Sequence, residues 1–299
     1  METSRRRKFW KCVKSVGAGA VLLFAHVGGR SSAEAVDLAQ QIAELMSQGP
    51  SGKSGHRFVH AKGIVCAGTF KPSQEAATIS RASHFRAGST PVTVRFSAGG
   101  SDMGVPDSSP TTAPRGMAIR FMNGSGTDIV ANSHNGFVVG TAEEFRDFLK
   151  ALAGTDSSKP HPWPIETFLK EHPRAQKFVQ DPKPAPASFA TEFFYGNNAF
   201  IFVNANGQRQ AGRYQLVPVA GAQYLSDPAA EAMSPSYLME EFPGRVAKEP
   251  VKFRLILQLA APGDKTVDSS VVWAEDRRKV DLGTISITSV ASDNMGAER

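Results

Sequence analysis

Short runs in which apolar and polar residues alternate recur through this chain, and they limit its fold more than any other feature. The clearest run is Val-Thr-Val-Arg-Phe-Ser at residues 92–97, and residues 116–121 and 128–131 repeat the pattern. Alternation puts apolar side chains on one face of a β-strand and polar side chains on the other. Further strands are predicted in the second half of the chain, at residues 198–204, 213–219, 251–260 and 281–290.

Helical periodicity interrupts these strand patterns. Residues 142–152 place apolar side chains at helical spacing, with Thr141 as the predicted N-cap and Gly154 as the stop. Residues 36–46 show the same spacing near the start of the chain. Shorter helices are predicted at residues 164–171, at residues 174–179 and in the first half of residues 236–248. Many strands with a helical insertion predict an α+β domain built on an antiparallel barrel or sandwich.

The first 33 residues are typical of an export signal. A basic stretch precedes the apolar residues 16–25, and small residues suited to cleavage follow at residues 31–35. The apolar run is far shorter than the roughly 20 residues that span a bilayer, so we expect no stable membrane anchor. Arg6 and Arg7 fit the twin-arginine export pattern, with an ordinary secretory signal as the alternative. We therefore expect a periplasmic or otherwise exported protein.

The leader also accounts for the basic net charge of the chain. The whole sequence carries a formal charge of +6, and residues 1–33 contain seven basic residues against one acidic residue. The remainder is therefore neutral, which gives no support for a nucleic-acid partner. Of the two cysteines, Cys12 lies in the leader, so only Cys66 remains after cleavage and no intramolecular disulfide can form.

Five segments carry more specific information. They are Arg-Phe-Val-His-Ala-Lys-Gly (57–63), Val-Arg-Phe-Ser (94–97), Pro-Arg-Gly-Met-Ala-Ile-Arg-Phe (114–121), Asp-Ile-Val-Ala-Asn (128–132) and Val-Asn-Ala-Asn-Gly (203–207). Their order and spacing resemble the catalase family, and the leader and short length resemble its compact, exported branch, the catalase-related peroxidases. The resemblance implies an antiparallel β-barrel core with helical insertions over residues 34–299. It also implies haem, iron protoporphyrin IX, as the cofactor, with no other metal site.

By this resemblance, His60 lies on a strand at residues 57–63 and is the acid/base residue of a peroxide site. A neutral imidazole can take a proton from one peroxide oxygen and return it to the other. Asn132 matches the family's asparagine that donates a hydrogen bond to the peroxide. Ser97 matches the serine that bonds the histidine ring, and Val59 matches the valine that covers the haem.

The resemblance implies four further residues at the cofactor. Arg57 and Arg95 match arginines that pair with the haem propionates, to which a guanidinium donates bidentate hydrogen bonds. Phe137 and Phe145 match aromatic residues that lie against the haem and its access channel.

Each of these assignments has a simpler alternative. His60 could be a core or surface histidine, and Asn132, at a strand end, could form a turn. Ser97 could bond the backbone. The two arginines could be ion-pair partners on the surface, and the two phenylalanines could be ordinary core residues.

The sequence departs from the family pattern in two places. Residues 132–137 read Asn-Ser-His-Asn-Gly-Phe where the family has a proline before the Phe, so His134 and Asn135 are unusual polar neighbours that could alter peroxide access. None of the four tyrosines lies in a motif for the tyrosine that ligates the haem iron. We therefore expect that a C-terminal segment is missing, with a natural variant that uses another ligand as the alternative.

These features predict an exported haem peroxidase that acts in the response to oxidative stress. It would reduce hydrogen peroxide or an organic hydroperoxide with electrons from an unknown donor. The missing tyrosine motif keeps a second hypothesis open, a non-catalytic envelope barrel that binds haem or another apolar ligand. A third hypothesis, isomerase or lyase chemistry on fatty-acid hydroperoxides, would also need haem and a tyrosine ligand.

Overall fold

A closed antiparallel β-barrel of eight strands forms the centre of the molecule, in a computed structural model that describes residues 32–49, 56–124 and 126–294. The strands are β1 (Gly63–Pro72), β2 (Thr90–Ser97), β3 (Gly116–Phe121), β4 (Asp128–Asn132), β5 (Phe194–Tyr195), β6 (Phe200–Val203), β7 (Arg209–Pro218), β8 (Val251–Leu259) and β9 (Lys279–Val290). The ring follows the order β5-β4-β3-β2-β1-β9-β8-β7, and pairing of Phe194 with Leu216 closes it. β6 pairs with the start of β7. The predicted barrel is confirmed, and the sandwich is wrong.

Alternation along the strands fills the barrel with apolar side chains and turns polar ones outward. On β2, Val94 and Phe96 are buried in the main apolar cluster, whereas Arg95 lies between them on the outer face. Ser97 follows two residues after Arg95 and therefore shares its face. The interior is thus a packed scaffold, and polar chemistry is confined to the outer surface of the barrel.

The described helices flank the barrel. They are α1 (Ser32–Ser47), α2 (Ala76–Ile79), α3 (Ala142–Ala153), α4 (Pro164–Glu171), α5 (Pro173–Gln180), α6 (Asp227–Glu231) and α7 (Tyr237–Lys248). Thr141 and Glu144 begin α3 with a capping box, in which each side chain accepts a hydrogen bond from the other's backbone N–H. Helices α1, α3, α4 and α5 form a second apolar cluster, which contains Phe137 and Phe145.

Two local expectations are wrong. The resemblance places His60 on a strand, but residues 56–62 form an irregular segment that leads into β1. Strand β1 itself is not predicted from the alternation of apolar and polar residues. Helix α7 continues through Pro243 instead of ending before it. An interior proline costs a helix about 3 kcal/mol. Burial of Phe242 and Val246 in the barrel cluster offsets that cost.

The predicted leader, up to residue 31, lies outside the described residues, as do residues 50–55. Helix α1 begins at Ser32, ahead of the expected start at residue 36. Within the described ranges, no helix is both long and apolar enough to cross a membrane.

A buried histidine lies in an aromatic cluster at one end of the barrel. His84 is 1% exposed, and its ring stacks on Phe121 with centroids 4.3 Å apart and lies 4.1 Å from the ring of Phe85. Neither ring nitrogen has a hydrogen-bond partner among the described residues. Burial lowers the pKa of His84 to about 4.

We predict that His84 makes the fold sensitive to acid. The unfolded chain binds a proton at this residue near pH 6.5, but the folded chain does so only near pH 4, so stability falls as pH drops through this interval. Replacing the ring by His84→Phe should keep the aromatic packing and flatten this part of the stability profile. Urea unfolding at several pH values measures it, and parallel profiles for the two proteins would contradict the prediction.

Candidate active site

A cavity of about 600 Å³ lies against the outer faces of β2, β3 and β4, between them and the end of α1. Its volume falls within the range of about 300–1,000 Å³ that is usual for ligand pockets. Seven of the eight predicted site residues line it, namely Arg57, Val59, His60, Arg95, Ser97, Asn132 and Phe137. Phe145 does not line it but lies one layer behind, with its ring centroid 5.5 Å from that of Phe137.

His60 is held in an unusual backbone conformation. Its φ is +50°, in the left-handed region that costs a residue with a side chain roughly 1–2 kcal/mol. Two contacts hold it there. Ser97 Oγ lies 3.0 Å from His60 Nδ1, and Arg95 Nη2 donates to the His60 carbonyl at 2.8 Å. Because backbone and ring are fixed separately, the imidazole has a defined direction at the cavity wall.

The register of three strands creates the space for this ring. Ser97 pairs with Gly116 across β2 and β3, and Gly116 pairs with Asn132 across β3 and β4. The three residues therefore form a row on one face of the sheet. A Cβ atom on Gly116 would lie 2.7 Å from Ser97 Oγ and 3.1 Å from His60 Nδ1. Only a glycine at this point lets the imidazole lie over the sheet.

Asn132 ends the row at the last residue of β4. It is partly exposed to the cavity. Its side-chain amide makes no hydrogen bond to any residue that the structure describes. An amide has both donor and acceptor atoms, so this group can bond a small polar molecule in the cavity.

Asn197 shapes the same wall, although the sequence did not mark it. Its Oδ1 accepts from the Gly136 N–H at 2.8 Å, and its Nδ2 donates to the carbonyls of Gly136 (3.1 Å) and His134 (3.2 Å). Phe137 then donates its N–H to the carbonyl of Ser269 at 2.9 Å. Asn197 and Ser269 both line the cavity, so residues far apart in sequence hold the segment after Asn132.

The unusual polar neighbours expected near Asn132 do not line the cavity. The ring of His134 packs edge-on against Phe178 at 4.7 Å, and its Nε2 lies 3.7 Å from Asp181. Burial, with help from Lys183, lowers the pKa of His134 to about 4, although Asp181 opposes the shift. A direct effect of His134 or Asn135 on peroxide access stays a prediction without support from this geometry.

The mouth of the cavity carries cationic side chains. Arg57 is exposed there, and Arg95 also lines the cavity. Arg120 lines it too and forms a bidentate pair with Asp128 at 3.0 and 3.1 Å. The planar, charged guanidinium groups of Arg57 and Arg95 have the chemistry that binds carboxylates of a ligand.

These residues fit one face of a haem-binding site. Val59 and Phe137 give apolar walls, and arginines at the mouth suit propionates. None of the four tyrosines, all within the described residues, lines the cavity. Tyr237 donates its hydroxyl to the Pro186 carbonyl at 2.7 Å, and Tyr214 is buried in the barrel. The residues present thus supply one face of the site and no tyrosine ligand for iron.

Known sequences match most of the chain. A family model described as catalase matches residues 34–276. A catalase-related peroxidase from Mycolicibacterium paratuberculosis is 36% identical over 239 residues, which cover 78% of this chain and 74% of that protein. A catalase-related peroxidase from Synechococcus elongatus is 31% identical over 248 residues, which cover 81% of this chain and 72% of that protein.

Solved structures share the fold. A fungal catalase superposes with a TM-score of 0.68 at 19% identity, covering 92% of this chain and 57% of that one. Catalase A from Saccharomyces cerevisiae gives a TM-score of 0.68 at 18% identity, with 92% and 59% covered. The chain therefore spans less than two thirds of the length of these structures.

We predict that Gly116→Ala displaces the His60 ring. The added methyl group would overlap Ser97 Oγ and His60 Nδ1, which should break their hydrogen bond and lower the free energy of unfolding by about 1–3 kcal/mol. Urea unfolding and the NMR resonances of the His60 ring measure these effects. The matched control is Gly88→Ala, at a glycine with no atom within 4 Å of the added carbon. Equal behaviour of the two variants would contradict the prediction.

Proposed function

This chain belongs to the catalase family, and from that premise we propose that it is a haem-dependent peroxidase that reduces hydrogen peroxide or organic hydroperoxides. The observation that carries the proposal is the row of Ser97, Gly116 and Asn132 beneath His60. It gives one cavity a hydrogen-bonded imidazole and an amide, which are the two groups that peroxide chemistry requires.

The cavity residues would hold the haem on one face. Arg57 and Arg95 would bind its two carboxylates, and Val59 and Phe137 would pack against its apolar surface and exclude water. A bound haem supplies the redox-active iron that exchanges electrons with the peroxide and with the donor. Phe145 supports the ring of Phe137 from behind.

His60 would move the proton. When its Nδ1–H donates to Ser97 Oγ, the lone pair of Nε2 is left to accept a proton. His60 Nε2 then takes a proton from one peroxide oxygen and returns it to the other, which leaves as water. With two electrons from the donor and two protons from solvent, each hydrogen peroxide gives two molecules of water.

Asn132 would orient the peroxide during this transfer. Its Nδ2–H can donate to a peroxide oxygen, since no described residue occupies the amide. The apolar wall leaves that oxygen few competing partners. We place the reaction outside the cytoplasm, in the defence against oxidative stress, on the strength of the leader in residues 1–33.

A second function is favoured by one observation. No tyrosine lines the cavity, so the barrel could bind haem or another apolar ligand without turnover. The two functions differ in whether the cavity consumes peroxide once haem is bound.

We predict that His60→Ala keeps haem uptake and loses peroxide turnover. General acid–base catalysis contributes about 10²–10⁴-fold, so peroxide consumption should fall by at least a hundredfold. The full chain, reconstituted with haem, is followed by its absorption spectrum and by peroxide consumption. His161→Ala is the control, because 58% of its side chain is exposed and it lies outside the cavity. Absence of haem uptake would refute the haem proposal, and uptake without turnover in the parent would favour the binding function.

A further inference from the structure

Charged side chains that are largely buried lie close to His60 and Asn132. Lys62 follows His60 by two positions, Arg115 precedes Gly116, and Ser133 follows Asn132. These three neighbours are connected through two carboxylates that no motif marked, Asp107 and Glu192. The set of Lys62, Asp107, Arg115 and Glu192 is called the buried charge chain below.

Asp107 connects the His60 segment to the rest of the protein. It is completely buried, and its Oδ1 lies 2.6 Å from Lys62 Nζ. Its Oδ2 accepts from the N–H of Leu238 at 3.0 Å, in the first turn of α7. Lys62 also donates to the carbonyl of Pro235 at 3.0 Å. The segment that carries His60 is therefore connected to the start of α7 through this ion pair and through the hydrogen bond to Pro235.

Arg115 continues the chain towards Asn132. It is 1% exposed, and its Nη2 donates to the backbone carbonyl of Asp107 at 2.8 Å. Its Nη1 lies 3.9 Å from Glu192 Oε1. The Arg115 N–H donates to Ser133 Oγ at 2.9 Å, and the Ser133 N–H donates back to the Arg115 carbonyl at 2.8 Å. The guanidinium thus lies between the backbone of Asp107 and the carboxylate of Glu192, and the backbone of Arg115 is paired with Ser133 at the end of β4.

Glu192 ends the chain in the protein interior. It is 2% exposed, and one carboxylate oxygen has no hydrogen-bond partner among the described residues. Burial raises the pKa of Glu192 to about 7, although Arg115 and a hydrogen bond from Ser133 oppose the shift. This carboxyl group therefore depends on Arg115 for its charge.

The chain consists of two ion pairs, Lys62 with Asp107 and Arg115 with Glu192, and the hydrogen bond from Arg115 to the Asp107 carbonyl connects them. Removing one member leaves a buried charge without a partner, which is costly because the interior cannot solvate it. The segments at the two ends can therefore not shift independently. His60 needs such support, since its backbone is held in a strained conformation.

We infer that Asp107 and Glu192 are positioning residues. Asp107 acts through Lys62 on His60, and Glu192 acts through Arg115 and Ser133 on Asn132. The inference rests on the proposed roles of His60 and Asn132. Neither carboxylate lines the cavity, so neither touches the substrate.

The test compares two aspartates that each form an ion pair, one completely buried and one nearer the surface. Asp107→Asn removes one charge from the chain, and Asp264→Asn removes a carboxylate that is 9% exposed, lies 2.9 Å from Arg277 and is absent from the cavity wall. The full chain without haem is labelled, and NMR records the ring resonances of His60 and the side-chain amide of Asn132. We expect the His60 resonances to move in Asp107→Asn, more than the Asn132 resonance does, and neither to move in Asp264→Asn.

Kinetics give the second measurement. In the haem-loaded protein, kcat/KM for peroxide should fall more than tenfold in Asp107→Asn and stay within twofold in Asp264→Asn. The NMR result stands without turnover, so a failure of the proposed function is distinguishable from a failure of this inference. Unchanged His60 and Asn132 resonances in folded Asp107→Asn would overturn it.

A second variant keeps the test decisive if Asp107→Asn does not fold. Glu192→Gln keeps the shape of the side chain and removes the charge at the other end. Because Ser133 is adjacent to Asn132, this change should move the Asn132 amide resonance more than the His60 ring resonances. Equal or absent movement would also overturn the inference.

Discussion

The pairing register of β2, β3 and β4 is the constraint on which the rest of the site depends. It sets Ser97, Gly116 and Asn132 side by side on the outer face of the barrel. Because side chains alternate between faces with a period of two, a slip of one residue would turn all three into the apolar interior. The packed interior prevents that slip, since it would also expose Val94 and Phe96. Core packing and site geometry are therefore enforced by the same register.

The residues that stabilise the barrel and the residues that line the cavity lie on opposite sides of the barrel wall. Inside the barrel, phenylalanines and aliphatic residues form a continuous apolar cluster, whereas the cavity lies on the outside. The second apolar cluster, built from α1 and the helices after β4, reaches the cavity through Phe137. Substitutions in the cavity can therefore change the reacting groups while the barrel interior stays intact.

Local patterns predicted much of the fold and site, and their failures have physical reasons. Alternation located β2, β3 and β4 within two residues, and the five motifs contain six of the seven predicted residues that line the cavity. Alternation missed β1 because three successive residues, Ile64, Val65 and Cys66, are all buried there. It missed Asn197 because the amide bonds backbone groups about 60 positions away. Contacts of that range have no local signature in one sequence.

Arg95 takes part in two interactions, one with the backbone of His60 and one with the cavity. Its guanidinium donates to the carbonyl of His60 and also lines the mouth where a ligand carboxylate would lie. A ligand that draws this side chain towards itself changes the strength of the bond to His60, so occupancy of the mouth and orientation of the imidazole are thermodynamically linked. Linkage of this kind is reciprocal. Any free energy that the imidazole orientation gains from a bound carboxylate is returned as affinity for that carboxylate, so the orientation of His60 reports whether the mouth is occupied.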